Sequence, residues 1–91
     1  MNLMKLFGSK MQTKLIIYLL DNYSKVFNQA GLARYLNCSP STVSRVITPL
    51  VEEGILMYEQ IRGQMKILAL NVESEKVKTL MDFYSKIKSL N

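Results

Sequence analysis

The chain has 91 residues, of which 48% are hydrophobic and 21% charged, and a formal net charge of +5. That length sustains one small domain, and that composition belongs to a folded chain rather than a disordered one. With no histidine and a single cysteine, Cys38, the chain has no intramolecular disulfide, no zinc cluster and no histidine-assisted nucleophile, and it carries no glycine-rich phosphate loop.

These absences point away from catalysis, and no cofactor is expected. The longest apolar run, Leu15 to Leu20, is too short to cross a bilayer. The N-terminus lacks the apolar region and cleavage site of a signal peptide, so the expected location is the cytoplasm with no membrane partner. The charge is unevenly placed. Up to Val51 the bases Lys5, Lys10, Lys14, Lys25, Arg34 and Arg45 face only Asp21, whereas acids and bases balance from Glu52 onward. No acid at all occurs between Asn22 and Val51. Such a field favours a polyanion such as nucleic acid; the plain alternative is a soluble basic surface with no partner.

The first element is SKMQTKLIIYLLDNY, residues 9–23, a helix that Ser9 can cap and whose Leu15, Ile16, Leu19 and Tyr23 recur at helical spacing beside Leu20. Next, Val26 and Phe27 read as a short extended lead into a helix over 28–36. Asn28 is its cap, and Leu32, Ala33 and Leu36 face inward. Gly31 within this helix costs about 1 kcal/mol relative to alanine, which close approach of another helix would explain. Asn37 and Cys38 form a link, with Cys38 a small apolar filler of the turn rather than a redox switch.

Residues 40–53 form the third helix, with Ser39 as cap, Pro40 in its first position and Gly54 as its stop. A hairpin follows over 55–70. A two-residue turn at Arg62-Gly63 sets Glu59 opposite Lys66, whereas a three-residue turn including Gln64 shifts the register. The last helix, 74–90, repeats Val77, Leu80, Tyr84 and Ile87, and Met81, Phe83 and Leu90 widen the stripe. That stripe is broader than so small a body can cover, so a homodimer through Val77, Leu80, Met81, Tyr84 and Ile87 is expected.

The third helix holds the most specific signal. With Val43 at the centre of its buried face, Val46, Ile47 and Leu50 fall on the same side, and Ser41, Arg45, Thr48 and, at the edge, Thr42 fall opposite. A face chosen only for solubility carries Glu and Lys; this one carries short hydroxyls around one arginine. DNA fits it, because a major groove admits one helix and its N-terminal residues reach base edges. Arg45 can read a guanine or hold a phosphate. Pro49 leaves two geometries, a break at Thr48 or a bent single helix, and its place on the polar side of the wheel favours the second.

The stretch LARYLNCSPSTVSRVITPLVEEGIL, preceded by LFGSK before the first helix, resembles the winged helix-turn-helix family and looks like its MarR-like, ArsR-like and PadR-like regulators. The resemblance runs from about Leu6 to Asn71. It implies a mostly helical α+β fold, a recognition helix at residues 40–53 and a wing at 62–66. The expected reading is a homodimeric regulator that binds double-stranded DNA through Ser39, Ser41, Thr42, Ser44, Arg45 and Thr48. Arg62, Gln64 and Lys66 would act on the wing, and Lys10, Lys14, Gln29 and Arg34 on phosphates; Lys66 can alternatively pair with Glu59. No small-molecule effector is indicated. The alternatives are an architectural or partition protein that spreads along DNA, and a winged-helix module that binds an acidic protein.

Overall fold

The computed structural model describes residues 7–61, 63 and 65–90. Four helices and three strands follow in the order α1 (Lys10–Asp21), β1 (Val26–Asn28), α2 (Gln29–Leu36), α3 (Pro40–Glu52), β2 (Leu56–Ile61), β3 (Met65–Leu70) and α4 (Glu75–Ser89). The first three helices start in the same way. Ser9, Asn28 and Ser39 each stand in extended conformation and accept the backbone N–H three residues on, from Gln12, Gly31 and Thr42. One orphan donor of each helix is satisfied by its own cap.

Gly31 belongs to this capping geometry and not to a helix–helix contact. A Cβ there would lie 3.1 Å from Asn28 Oδ1, the atom that accepts the Gly31 N–H at 2.6 Å. The turn after α2 uses Asn37 at φ 56°, with Cys38 N–H donating to the Ala33 carbonyl. The stop after α3 uses Gly54 at φ 74°, with Ile55 N–H donating to the Leu50 carbonyl. Both are left-handed closures that return the chain across the last turn. α1 ends at Asp21, two residues short of the expected limit, and Tyr23 lies beyond it, exposed rather than inward.

The strands make one antiparallel sheet in the order β1-β3-β2. The short extended lead at Val26–Asn28 becomes an edge strand because it pairs with Ala69, Leu68 and Ile67 of β3. In the hairpin Ile61 faces Met65 and Gln60 faces Lys66, so the three-residue turn is the one adopted. Glu59 therefore faces Ile67, and among the described residues no ion pair joins it to Lys66.

One core joins every element. Leu15, Leu19, Leu32, Val43, Leu50, Ile55, Leu68 and Val77 are its fully buried side chains. Val77 thus lies inside the protomer, with no surface to give a partner, which removes it from the expected dimer seam. Two polar clamps hold α4. Near its start, Lys76 bonds both the carboxylate and the carbonyl of Glu53, at the end of α3. Near its end, Tyr84 Oη donates to Asp21 at 2.8 Å, and Lys88 meets the same oxygen at 3.3 Å. The phenol hydrogen bond and the Lys88 charge hold the Asp21 carboxyl below its ordinary range, and the same bond pushes the Tyr84 phenol up.

Gly54 isolates backbone strain as a measurable quantity, because a Cβ there would meet nothing within 4 Å while φ stays positive. Gly54→Ala is expected to cost about 1–2 kcal/mol from conformation alone. Urea unfolding should show a lower midpoint with an unchanged slope.

Candidate nucleic-acid interface

The site is built on α3. Val43, Ile47 and Leu50 bury its inner side, and Val46 packs half-buried against the same core. Ser41, Ser44, Arg45 and Thr48 are exposed on the outer side, with Thr42 half-buried at its edge. The hydroxyls of Ser39, Ser41 and Thr42 form a connected array at the start of α3. Ser39 Oγ accepts the Thr42 N–H and lies 3.0 Å from both Ser41 Oγ and Thr42 Oγ1. Arg45 Nη2 donates to Thr42 Oγ1 at 3.3 Å, and among the described residues no ion pair takes it to Glu52. The guanidinium is steadied by a neutral hydroxyl.

Pro49 sits inside α3, and the helix runs through it as one piece to Glu52. The proline removes the N–H that would have reached the Arg45 carbonyl. One residue earlier, Thr48 Oγ1 donates to the Ser44 carbonyl at 2.6 Å. The affected carbonyls belong to Ser44 and Arg45, both exposed, and Pro49 itself is half-buried.

The remaining expected contacts separate. Lys10, Lys14 and Arg34 are exposed, and among the described residues none has an acidic partner. Gln29 differs from the expectation. It is only 7% exposed, and its Nε2 donates to the Pro40 carbonyl at 3.1 Å, so its amide ties α2 to the start of α3 rather than reaching outward. Lys66 is half-buried beside an open groove of about 470 Å³ lined by Asn28, Gln29, Ala30, Pro40 and Met65. That groove brings the start of α2, the start of α3 and the base of β3 together. No local sequence signal announces it, because residues 28–30 and 65–66 meet only through β1–β3 pairing. Arg62 and Gln64, expected at the tip of the wing, lie outside the described residues.

α4 divides its apolar stripe in the same manner. Leu80, Met81 and Tyr84 are half-buried against the core, whereas Ile87 is exposed, Phe83 is 61% exposed and Leu90 81%. Among the described residues no helix is long and apolar enough to cross a membrane.

Two helices joined by a tight turn, the second with a polar outer face, and an antiparallel hairpin after them define a winged helix-turn-helix protein. Residues 9–64 match the family described as "Iron dependent repressor, N-terminal DNA binding domain". The chain belongs to that family, one of DNA-binding transcriptional regulators and not of enzymes. It is a further group of winged-helix regulators beside the three that the sequence resembles. Among solved structures, HlyU from Vibrio cholerae is similar in fold, with a TM-score of 0.71 over 93% of this chain and 86% of its own, at 20% identity. No curated protein matches the chain.

The family description names iron, and the residues do not fit an iron site. Among the described residues no group of three or more Cys, Asp or Glu could hold a metal ion. The chain has no histidine, and Cys38 is half-buried in the turn before α3. What orients α3 here is apolar packing, the Gln29–Pro40 hydrogen bond and the Lys76–Glu53 pair.

Pro49→Ala restores a backbone donor and removes a ring without touching the fully buried side chains. It is expected to stabilise the fold by about 1–3 kcal/mol. Thermal unfolding should show a midpoint raised by roughly 4–8 °C per kcal/mol for a domain of this size.

Proposed function

We propose that the protein is a homodimeric transcriptional regulator that binds double-stranded DNA in a sequence-dependent manner, with α3 in the major groove. The observation that carries this reading is the outer face of α3, where Ser41, Ser44 and Thr48 surround an Arg45 that no acid neutralises among the described residues. A helix fits the major groove, and its first turns reach base edges. Arg45 offers two parallel donors to a guanine or a fork to a phosphate, and the hydroxyls of Ser39, Ser41, Thr42, Ser44 and Thr48 bond bases or backbone. Lys10, Lys14 and Arg34 supply phosphate contacts, and Arg62, Gln64 and Lys66 do so from the wing. Gln29 serves indirectly by holding the start of α3. The protein acts in the cytoplasm, on DNA.

The proposed dimer uses the exposed Ile87, Phe83 and Leu90 of α4 and its end, together with the sides of Leu80, Met81 and Tyr84 that the core leaves half-open. A two-fold axis there places the two α3 helices about one duplex turn apart, roughly 34 Å, and calls for a palindromic site.

Labelled duplexes carrying the gene's own upstream region, set against scrambled DNA over a salt series, test the first part. Binding should favour the upstream region, with log affinity falling by about 0.9 per phosphate contact for each unit of log salt. Arg45→Ala should weaken that specific binding by roughly 5- to 150-fold. Equal affinity for both duplexes would favour a spreading, architectural protein, and no binding at low salt would overturn the reading.

Sedimentation tests the second part. Phe83→Glu with Ile87→Glu should shift the protein from dimer to monomer with little change in protomer stability, since both side chains are exposed. Val77→Ala, inside the core, should instead lower stability by about 1–3 kcal/mol. A dimer that survives the double substitution would place the seam elsewhere.

A further inference from the structure

The outer face of the sheet, turned away from the core, is apolar where a solvated face is commonly polar. Strand pairing puts Val26, Ala69 and Met57 in one row across the three strands, Ile67 in the next between Asn28 and Glu59, and Ile61 opposite Met65 in the last. Leu56, Leu68 and Leu70 alternate with them on the core side. Val26, Met57 and Met65 are 64%, 52% and 56% exposed, and Ile61, Ile67 and Ala69 are half-buried between them. None of these six belongs to the outer face of α3 or to the stripe of α4, so neither the DNA contact nor the α4 seam covers them.

The charges around this face stand at opposite edges. Glu59 is its only charged side chain among the described residues and lies on β2, whereas Lys25 is exposed directly before Val26 on the β1 side. Neither has an ion-pair partner among the described residues. An apolar centre with one acid at one edge and one base at the other complements itself. A two-fold axis that lays one such face on another brings Lys25 of each copy to Glu59 of the other.

The size of the patch narrows the occupant further. The largest apolar patch on a monomer is about 300–600 Å², short of the roughly 800 Å² that each partner gives to a stable interface. A face of that size holds only a molecule that is already close by. Copies bound side by side on one duplex meet this condition, because tethering raises effective concentration to the millimolar range.

We propose that the outer sheet face is a two-fold contact between neighbouring copies of this chain, and that it makes adjacent dimers fill one DNA molecule cooperatively. The cooperative part rests on the DNA reading. Met57 and Met65 are unbranched and flexible enough to fill the uneven gap between two such faces. Glu59, a charge on the edge strand, opposes continuation of the sheet by strand pairing and leaves face-to-face packing as the mode of contact.

The contact itself is tested without DNA. Amide NMR spectra of the full chain, recorded from tens of micromolar to a few millimolar, should shift at Val26, Met57 and Ile67 with a Kd on the order of 1 mM. Met57→Glu should abolish these shifts. Glu59→Lys should weaken the contact about tenfold, and Lys25→Glu in the same chain should restore it. All three positions are exposed, and unchanged spectra elsewhere report that each variant is folded. Gel shifts then compare a duplex long enough for one dimer with a duplex long enough for several. The unsubstituted protein should fill the long duplex cooperatively, each further dimer binding about tenfold tighter than the first. Met57→Glu should fill it independently, with unchanged affinity for the short one. Shifts that are absent or confined to α4, cooperativity that survives Met57→Glu, or a charge exchange that restores nothing would each overturn the proposal. A protein that shows the sheet shifts but binds neither duplex keeps the contact and loses the DNA reading together with the cooperative role.

Discussion

Val43, Ile47 and Leu50 bury the inner side of α3 so completely that its outer side has only one direction to face. A helix has 3.6 residues per turn, so fixing three positions at spacings of three and four fixes the rest. Ser41, Ser44, Arg45 and Thr48 are outward because those three are inward. The orientation is reinforced from both ends. Gln29 binds the carbonyl of Pro40 at the start, and Lys76 binds Glu53 at the finish. A polar surface that must meet another molecule in one register needs this kind of rigid support, and apolar packing with end clamps supplies it.

Charge is distributed by the same logic. The four lysines of α4, Lys76, Lys78, Lys86 and Lys88, each lie within ion-pair distance of a carboxylate. Among the described residues the bases of α1 to α3 have no such partner. Exposed pairs contribute little to stability, so what the pairing changes most is the field. It cancels the positive potential of α4 and leaves that of Lys10, Lys14, Arg34 and Arg45 standing. Even Asp21, the lone acid of the first half, is occupied by Tyr84 and Lys88 at the far end of α4. The molecule therefore has one polyanion-attracting half and one nearly neutral half, and the exposed apolar residues Phe83, Ile87 and Leu90 lie on the neutral one.

Which parts were legible in the chain follows from the range of the forces involved. The caps Ser9, Asn28 and Ser39 and the stop at Gly54 act over three to five residues, so they can be read directly from the sequence. The inward face of α3 is equally local. The role of Gln29 was not legible, because its partner Pro40 is eleven residues away across a turn and its polarity suggests a surface position. Val77 looked like the rest of its stripe, since periodicity identifies a face without saying whether the same protomer or another covers it. The hairpin register stayed open between two turns until Ile61 met Met65: the Glu59–Lys66 pairing offered by the two-residue turn is an exposed contact, too weak to fix a register.

Pro49 shows how such a small domain tolerates a locally unfavourable residue. A proline in the interior of a helix disfavours it by about 3 kcal/mol, a sizeable part of the total stability of a domain this size. The helix persists because its hold on the core does not pass through the missing hydrogen bond. Ile47 and Leu50 flank Pro49 and are almost wholly buried, and the left-handed closure at Gly54 with its Ile55–Leu50 hydrogen bond secures the end. The defect thus falls between two firmly anchored turns, on the side where a carbonyl can be hydrated. The turns before it carry the hydroxyls and Arg45, whose carbonyl is the one Pro49 deprives of its helical N–H; the turn after it carries Glu52 and Glu53, the first acids in the chain after Asp21. Pro49 marks the boundary between the two parts of α3, the one with the contact face and the one anchored to α4.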